Sequence, residues 1–338
     1  MDFYSKFKRI IILGFLFLVS CFLTVFFLWQ GIYLPKDVKF FEEKPFFIKK
    51  GESIFQIAEN LEKDNLIKNR IYFEIYLFLT EKIRKLQAGE YLLSSAMTIP
   101  EITNKIVSGD VAKVIIIIPE GFNLKEIVTK LSGSYPDSDE IEEMRVSDFW
   151  DDFELLQDAR PQASLEGFLF PDTYHFSYEA NVQEIVRKIL TNFDKKMTSN
   201  LRKEINNQGK PIFEIVTMAS MLEREVKTFG DKKLVSGILW KRLKNNIPLQ
   251  VDATITYITG KKTIKISKEE TEIDSPYNTY KYPGLPLGPI CNPGLNSIIA
   301  AIYPEESEYW YYLSTPDGET IFSETLEEHN IAKAKYLK

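Results

Sequence analysis

One helical stretch organises the chain: Pro211-Ile-Phe-Glu-Ile-Val-Thr-Met-Ala-Ser-Met-Leu-Glu-Arg-Glu-Val226. It contains no Gly, and its single Pro stands first, where a missing N–H removes no helix hydrogen bond. Apolar side chains recur at three- and four-residue spacing and share one face: Ile212, Ile215, Val216, Ala219, Leu222 and Val226. At about 100° per residue, Glu223 falls at the edge of this apolar face.

Glu223 allows two interpretations. The residues one turn earlier, Ala219 and Ser220, are small and leave room for a ligand beside the carboxyl group. A carboxyl group half-sunk in an apolar wall is expected to have a raised pKa, which is what a general acid needs near neutral pH. The alternative is a surface carboxylate that pairs with Lys227, four residues further along the helix. The helix alone leaves both interpretations open.

The composition limits the class of protein. A chain of 338 residues has room for two domains and an accessory segment, and 44% hydrophobic residues argue against long disordered regions. The net charge of −6 predicts that nucleic acid is not a partner. With only two histidines in the sequence, we expect no metal site, and no motif predicts a cofactor.

The N-terminus predicts a membrane anchor. The stretch from Ile10 to Pro35 has no charged residue, and about twenty apolar residues suffice to span a bilayer as a helix. The stretch follows three basic residues, Lys6, Lys8 and Arg9. By the positive-inside rule, this charge predicts a cytoplasmic N-terminus at 1–9 and a single transmembrane signal anchor at 10–34 in the cell (inner) membrane. The rest of the chain is then extracytoplasmic, and the lipid bilayer is a partner.

A repeated pattern follows the anchor. Ile48–Leu61 and Ile118–Leu131 share a Gly three residues after the Ile, a capping Ser or Asn, and apolar residues at helical spacing. A shorter third copy covers 98–106. The unit predicts strand, glycine turn and capped helix, and it resembles the peptidoglycan-binding LysM module; a generic βα spacer is the alternative. We place this small α/β domain at 36–132 and an acidic insertion or linker at 133–163.

Residues 164–338 have a different character. Long helical segments alternate with loops rich in Pro, Gly, Asn and Tyr, which predicts a mixed α+β catalytic domain and, for the whole chain, the α+β class. Four of these loops carry candidate binding residues: 165–176, 249–254, 275–280 and 284–294. Their Tyr, Asn, Gln and Asp side chains offer flat faces and hydrogen bonds, which suit a carbohydrate.

These loops and the Glu223 helix together resemble one family. The matching segments are Glu-Gly-Phe-Leu-Phe-Pro-Asp-Thr-Tyr from Glu166, Ala-Ser-Met-Leu-Glu-Arg-Glu from Ala219, Ser-Pro-Tyr-Asn-Thr-Tyr from Ser275 and Asn-Pro-Gly from Asn292. In this order they are similar to the endolytic murein transglycosylases, the MltG/YceG-like family. The resemblance implies a membrane-anchored lytic transglycosylase that cleaves nascent peptidoglycan glycan strands between N-acetylmuramic acid and N-acetylglucosamine. It also implies 1,6-anhydro-muramyl ends, terminated strand elongation, and peptidoglycan synthases as partners.

The resemblance implies roles for single residues as well. The family's catalytic glutamate falls on Glu223. The residues expected to contribute to substrate binding are Glu166, Gln250, Asp252, Tyr277, Asn278, Tyr280 and Asn292. For Glu166 and Asp172 two roles stay open, orienting Glu223 or holding their own loop through backbone N–H bonds. For Asp172 the structural role is favoured.

Two other functions share this anchor and repeat. A hydrolytic muramidase would add water and would need a second carboxylate near Glu223, for which Glu166, Asp172 and Asp252 are candidates. A non-catalytic scaffold would bind peptidoglycan and tether the wall-synthesis machinery to the membrane. The mass of the products from purified glycan strands separates the three functions.

Overall fold

The computed structural model describes residues 2–39, 41–261 and 266–337. They form two compact units. The N-terminal unit extends to Val114 and includes Ser177–Glu179, and the C-terminal unit comprises Ile115–Phe176 and the chain from Ala180 onward. The boundary therefore lies inside the segment 36–132 that we assigned to one domain, so the second repeat copy belongs to the C-terminal unit.

The chain begins with a long apolar helix, α1 (Asp2–Tyr33). Its segment Ile11–Tyr33 is 23 residues long, enough to cross the roughly 30 Å hydrocarbon core of a bilayer. Most of this segment is exposed, but its last turn packs on the N-terminal unit, where Ile32 is buried and Gly31 lies against the ring of Tyr72. Such a helix fits a single-pass membrane anchor.

In the part that the structure describes, the N-terminal unit contains a two-stranded sheet and further helices after α1. Its elements are β1 (Lys44–Ile48), α2 (Ile54–Lys63), α3 (Arg70–Leu79), β2 (Gly89–Leu93) and α4 (Ile99–Ser108). The two strands pair antiparallel, with Phe46 opposite Tyr91. Both rings are buried in the core, together with Ile48, Leu61, Phe73, Leu77, Leu93, Ile102 and Ile106.

The predicted repeat is confirmed as secondary structure. In the second copy, β3 (Lys113–Ile117) leads into α5 (Leu124–Ser132), as β1 leads into α2 in the first. Gly51 and Gly121 have φ values of +82° and +80°, a conformation that favours glycine. Reciprocal side-chain and backbone hydrogen bonds cap α2, α4 and α5. A generic βα spacer has the same features, so the LysM-like identification stays a prediction.

The C-terminal unit is mainly helical and also contains two small sheets. Strand β3 pairs with β4 (Thr173–Ser177), and β5 (Tyr311–Ser314) pairs antiparallel with β6 (Thr320–Ser323). The helices after α5 are α6 (Glu140–Glu143), α7 (Val182–Lys196), α8 (Ser199–Asn207), α9 (Ile212–Glu225), α10 (Phe229–Lys244), α11 (Asp252–Thr259), α12 (Leu295–Ile302) and α13 (Leu326–Tyr336). These elements confirm a mixed helix and strand fold.

The acidic segment 133–163 packs into this unit through its apolar residues. Its acidic side chains at Asp137 and Glu140 are exposed. Its apolar side chains are buried, however, among them Ile141, Phe149 and Leu156. The charged residues lie on the exposed face of the segment, and the apolar residues between them anchor it in the unit.

Helix α9 lies at the centre of the C-terminal unit. Every residue from Ile215 to Leu222 is buried, which requires neighbours on all sides of the helix. Those neighbours are α8, α10, α11 and α12. Because α9 is enclosed, the carboxyl groups at its C-terminal end are held between these helices and the loops that join them.

Candidate functional site

Glu223 lies near the C-terminal end of α9. Its carboxyl group accepts hydrogen bonds from Lys232 Nζ at 3.2 Å, Gly294 N at 3.0 Å and Ser297 Oγ at 2.6 Å. Lys232 belongs to α10, and the other two donors belong to the N-terminal end of α12. The position of the carboxyl group is therefore set by three helices together.

The contact with Lys232 is a buried ion pair. The side chains of Glu223 and Lys232 are 9% and 6% exposed. The partner is thus Lys232 and not Lys227, and the pair does not lie on the outer surface. Both interpretations from the helix pattern need correction, because the carboxyl group is buried but its oxygens meet polar donors and not an apolar wall. A pair this enclosed depends on all its hydrogen bonds, since each charge has lost its hydration.

The start of α12 accounts for the other two donors. Gly294 is the N-cap residue and has no side chain that can bond the free N–H groups of the first turn. Glu223 Oε2 lies at this end of the helix and accepts from Gly294 N and from the Ser297 hydroxyl group. A carboxylate is favoured here because a helix N-terminus carries partial positive charge.

Glu166 lies in the interior and joins three segments. Each of its carboxyl oxygens is 3.0 Å from Leu124 N, Asn292 Nδ2 donates to Oε1 at 3.0 Å, and Tyr257 Oη donates to Oε2 at 3.4 Å. Burial raises the pKa of Glu166 to about 8, because the ionised form loses its hydration. At neutral pH this carboxyl group is therefore mainly protonated.

Three of the predicted binding residues hold loops instead of lining open space. Glu166, Asn278 and Asn292 are 3%, 1% and 0% exposed. Asn292 bonds Phe122 O and Leu169 N through its amide group, and the amide of Asn278 bonds carbonyl groups within its own loop. In this structure these three side chains are therefore too buried to contact a sugar directly. Their polar groups are used to shape the backbone.

The second and third loops meet at Asp252. Tyr280 Oη donates a hydrogen bond to Asp252 Oδ1, and Arg242 Nη2 donates to Gln250 Oε1 at 2.9 Å. Gln250 and Asp252 are exposed, and Tyr280 is half-buried. Gln250 has a φ of +54°, which is uncommon for a residue other than glycine and is often found at functional sites. These three side chains are accessible to a ligand.

Tyr277 lies at a separate cavity of about 420 Å³. The cavity is lined by residues of the acidic segment, of α9 and of the last two loops: Glu142, Arg145, Arg160, Gln162, Ala163, Ser164, Phe213, Tyr277, Leu287, Gly288 and Pro289. Tyr277 also packs against Tyr257, with ring centroids 5.0 Å apart. Its place in the wall of a cavity with two arginines could not be read from the sequence, because the acidic segment lies more than one hundred residues away in the chain.

Asp172 has the structural surroundings that we favoured for it. It accepts hydrogen bonds from Thr173 N at 2.8 Å and Asn192 Nδ2 at 3.0 Å, and Lys196 Nζ lies 3.5 Å away. The hydrogen bond from Asn192 is the main cause that holds the pKa of Asp172 below its usual range. These contacts join the loop to α7.

Sequence reasoning missed Glu225, two residues from Glu223. Its carboxyl group accepts from Ala253 N at 3.0 Å and from Tyr312 Oη at 3.1 Å. Burial, and then the nearby charge of Asp252, raise the pKa of Glu225 to about 7. The sequence pattern placed Glu225 on the same side of the helix as Met218 and Met221, which are both fully buried. The contact with Tyr312 could be found only in the tertiary structure.

The site thus contains a buried carboxyl group that three donors hold in place, within a domain of mixed helix and strand. A family model for the YceG-like family matches residues 46–335, and the chain belongs to that family. The recognition made from the sequence motifs is thereby confirmed.

Two curated relatives and one solved structure illustrate the similarity. A Bacillus subtilis (strain 168) protein named endolytic murein transglycosylase is 31% identical over 306 residues, which cover 86% of this chain and 84% of that protein. A Streptococcus pneumoniae (strain D39) protein of the same name is 28% identical over 319 residues, covering 86% of this chain but 58% of its own length. The crystal structure of a yceG-like protein from Listeria monocytogenes has a TM-score of 0.59 and 32% identity, and the match covers 86% of this chain and 99% of that one.

Proposed function

We propose that this protein is an endolytic murein transglycosylase, a lyase that acts on the glycan strands of peptidoglycan. It cleaves within nascent strands between N-acetylmuramic acid and N-acetylglucosamine, leaves a 1,6-anhydro-muramyl end and so terminates strand elongation. Support comes from family membership and from the names of the curated relatives. The observation that carries the proposal is the Glu223 carboxyl group, which donors from α10 and α12 hold in one place.

The reaction needs one group that first gives and then accepts a proton. Glu223 protonates the glycosidic oxygen, the bond from that oxygen to the muramyl C1 breaks, and the leaving sugar keeps the electron pair as a hydroxyl group. The muramyl 6-hydroxyl oxygen then bonds to C1, and its proton passes to Glu223. Because the substrate supplies the nucleophile, the reaction consumes no water and needs no second carboxylate as nucleophile.

The ion pair with Lys232 constrains this mechanism. A carboxyl group that carries a proton cannot form an ion pair, so the contact with Lys232 must loosen when the substrate is bound. A bound strand excludes water, and exclusion of water favours the neutral form of a carboxyl group. Ser297 and Gly294 continue to orient Glu223 during this change, because a neutral carboxyl group still accepts hydrogen bonds through its carbonyl oxygen.

The remaining residues have two roles in the proposal. Gln250, Asp252, Tyr277 and Tyr280 contact the sugars. Support comes from the exposure of Gln250 and Asp252, from the partial exposure of the two tyrosines, and from their aromatic or hydrogen-bonding groups. The buried side chains of Glu166, Asn278 and Asn292 shape the loops that present them.

The membrane anchor sets the compartment. Three basic residues precede the apolar segment of α1, which supports a cytoplasmic N-terminus and an extracytoplasmic catalytic domain. A site anchored on that side of the cell membrane can reach strands as they are made. Peptidoglycan synthases are the partners that this location suggests.

The test compares the full-length protein with its Glu223→Gln variant on purified glycan strands. The wild type is expected to yield products with anhydro ends, which are lighter by one water than hydrolysis products. The variant should be folded and inactive. Reducing ends would indicate a hydrolytic muramidase, intact strands a non-catalytic scaffold, and an active Glu223→Gln variant would show that another residue transfers the proton.

A further inference from the structure

A carboxyl group outside the predicted set lies against Gly294, the residue whose N–H group bonds Glu223. A Cβ atom built on Gly294 would lie 2.0 Å from Glu120 Oε1 and 2.2 Å from Glu120 Cδ. The carboxyl group of Glu120 therefore occupies the space that a side chain at position 294 would need. The N–H group of the same glycine donates to Glu223 Oε2 at 3.0 Å. Two carboxyl groups thus meet at one residue.

Backbone hydrogen bonds hold the segment that carries Glu120. Gly121 N donates to Asn292 O at 3.0 Å, and Asn292 N donates to Phe122 O at 2.8 Å. Arg224 Nη1, next to Glu223 on α9, donates to Gly121 O at 3.1 Å. The segment is thus tied both to the loop before α12 and to α9. The place of Glu120 beside Gly294 therefore does not depend on a partner for its own carboxyl group.

The two carboxyl groups have opposite surroundings. Glu223 is 9% exposed on its side chain and has three donors. Glu120 is exposed, and its carboxyl group has no ion pair or hydrogen bond with any residue that the structure describes. No hydrogen bond or ion pair among the described residues accounts for the position of Glu120, which directs attention to a role in the reaction.

We propose that Glu120 is a second carboxylate of the reaction, which stabilises the positive charge that develops on the sugar while Glu223 transfers the proton. The inference rests on the proposed function. As the bond from C1 to the glycosidic oxygen breaks, positive charge spreads over C1 and the ring oxygen. An ionised carboxylate placed beside the proton donor lowers the energy of that state. Glu120 remains ionised and neither forms nor breaks a bond.

A structural explanation of Glu120 makes a different prediction. Gly294 is the N-cap residue of α12, and a negative charge near a helix N-terminus stabilises the helix by roughly 0.3–1 kcal/mol. If that were its whole role, loss of the charge would lower stability slightly and leave the turnover of bound substrate unchanged. The two explanations therefore differ in kcat.

The first experiment measures kcat and KM of the full-length protein on purified glycan strands. Glu120→Gln is compared with Glu140→Gln, which removes an equally exposed carboxylate of α6. We expect Glu120→Gln to lower kcat at least about tenfold with KM changed less than about threefold, and Glu120→Asp to recover part of the loss. Glu140→Gln should match the wild type. A kcat for Glu120→Gln within twofold of the wild type would overturn the inference.

A second experiment uses the contact itself. Gly294 has a φ of −71°, which alanine adopts freely, so the obstacle to Gly294→Ala is the carboxyl group of Glu120. Gly294→Ala should lower kcat in the wild-type background. In a Glu120→Ala background the same substitution should cause little further loss of kcat. Equal effects in both backgrounds would contradict the inference.

The wild type and Glu223→Gln are run in the same assay. They test the proposed function separately, through the anhydro product and its loss. Failure of the proposed function is therefore distinguishable from failure of the role of Glu120.

Discussion

Glu223 and Glu225 are two residues apart on one helix and have unlike surroundings. Glu223 faces α10 and α12, where a lysine, a backbone N–H and a hydroxyl group donate to it. Glu225 faces α11 and β5, where it meets Ala253 N, a tyrosine hydroxyl group and the charge of Asp252. The first is surrounded by donors that suit a carboxylate. The second also has two donors, but its burial and the charge of Asp252 favour a proton on the carboxyl group.

The difference shows that residue type and helix position do not decide the chemistry of a carboxyl group. Two residues along a helix turn a side chain by about 200°, so the two glutamates meet different neighbours. Burial raises a carboxyl pKa, and cations and hydrogen-bond donors act in the opposite direction. The proposed function assigns the chemistry to Glu223, and the following experiments test that choice against Glu225.

The largest expected effect is on cleavage. Glu223→Gln should reduce the rate of glycan cleavage by about 10³-fold or more, since general acid–base catalysis contributes about 10²–10⁴-fold and the change removes both proton transfers. Glu225→Gln keeps a similar shape and should retain activity within about tenfold. The measurement is release of anhydro ends over time, with circular dichroism to verify folding. If the two variants exchanged these outcomes, Glu225 would be the catalytic group.

The next effect concerns the buried ion pair. Lys232→Met should lower the free energy of unfolding by about 3 kcal/mol, because the Glu223 carboxylate stays buried without its cation. Adding Glu223→Gln to Lys232→Met should cost less than the sum of the two single changes. Denaturant unfolding of the full-length protein in detergent provides both values. Additive costs would mean that the two side chains are not coupled in solution.

The third effect is a pH dependence of stability that belongs to Glu225. Its pKa is about 7 in the folded protein, against 4.5 without the fold, so between these values the folded state binds more protons. The stability that this carboxyl group contributes is fully present below pH 4.5 and is lost as the pH rises through about 7. Wild-type stability should therefore fall over this range relative to Glu225→Gln, by at most about 1.4 kcal/mol per pH unit.

Glu166 provides the control for this slope. Because its pKa is about 8, Glu166 should also make stability fall with rising pH, and over a wider pH range. Glu166→Gln should therefore remove a part of this fall that extends past pH 7. Unfolding curves of the two variants from pH 4.5 to 8.5 separate the contributions. Parallel curves for wild type and Glu225→Gln would show that Glu225 titrates in the folded protein as it does in the unfolded chain.

The smallest effects come from single hydroxyl groups. Ser297→Ala and Tyr312→Phe each remove one hydrogen bond, to Glu223 and to Glu225, and each should lower the free energy of unfolding by about 1–2 kcal/mol. Their effects on activity should differ. Ser297→Ala loosens the proposed catalytic group and lowers kcat, whereas Tyr312→Phe leaves kcat near the wild-type value. Equal losses of kcat would remove the distinction between the two glutamates.

Local patterns predicted much of the secondary structure. The helix from Pro211 was predicted from its apolar spacing, and it is present as α9. The capped helices of the repeat followed from Ser53, Thr98 and Asn123, because a capping side chain bonds an N–H group only three residues away. Patterns within one or two turns therefore predicted helices, caps and the apolar N-terminal segment.

The site was predicted less completely. Motif order pointed to Glu223 and to the loops, but not to the interior positions of Glu166, Asn278 and Asn292. Polar side chains in Pro- and Gly-rich loops can either bond the loop backbone or face a ligand, and composition is the same in both cases. Glu120 lies in the turn of the second repeat copy, and nothing local in the sequence connects it to Glu223.

By itself the sequence determined the apolar N-terminal helix, the helical repeat, the central helix and the family. These depend on residue spacing within a segment, which the sequence records directly. The tertiary structure alone decided that Lys232 and Ser297 hold Glu223, that Glu225 meets Tyr312, and that Glu120 lies against Gly294. Most of these contacts join residues far apart in the chain, and the charge state of a carboxyl group depends on such neighbours and on lost hydration.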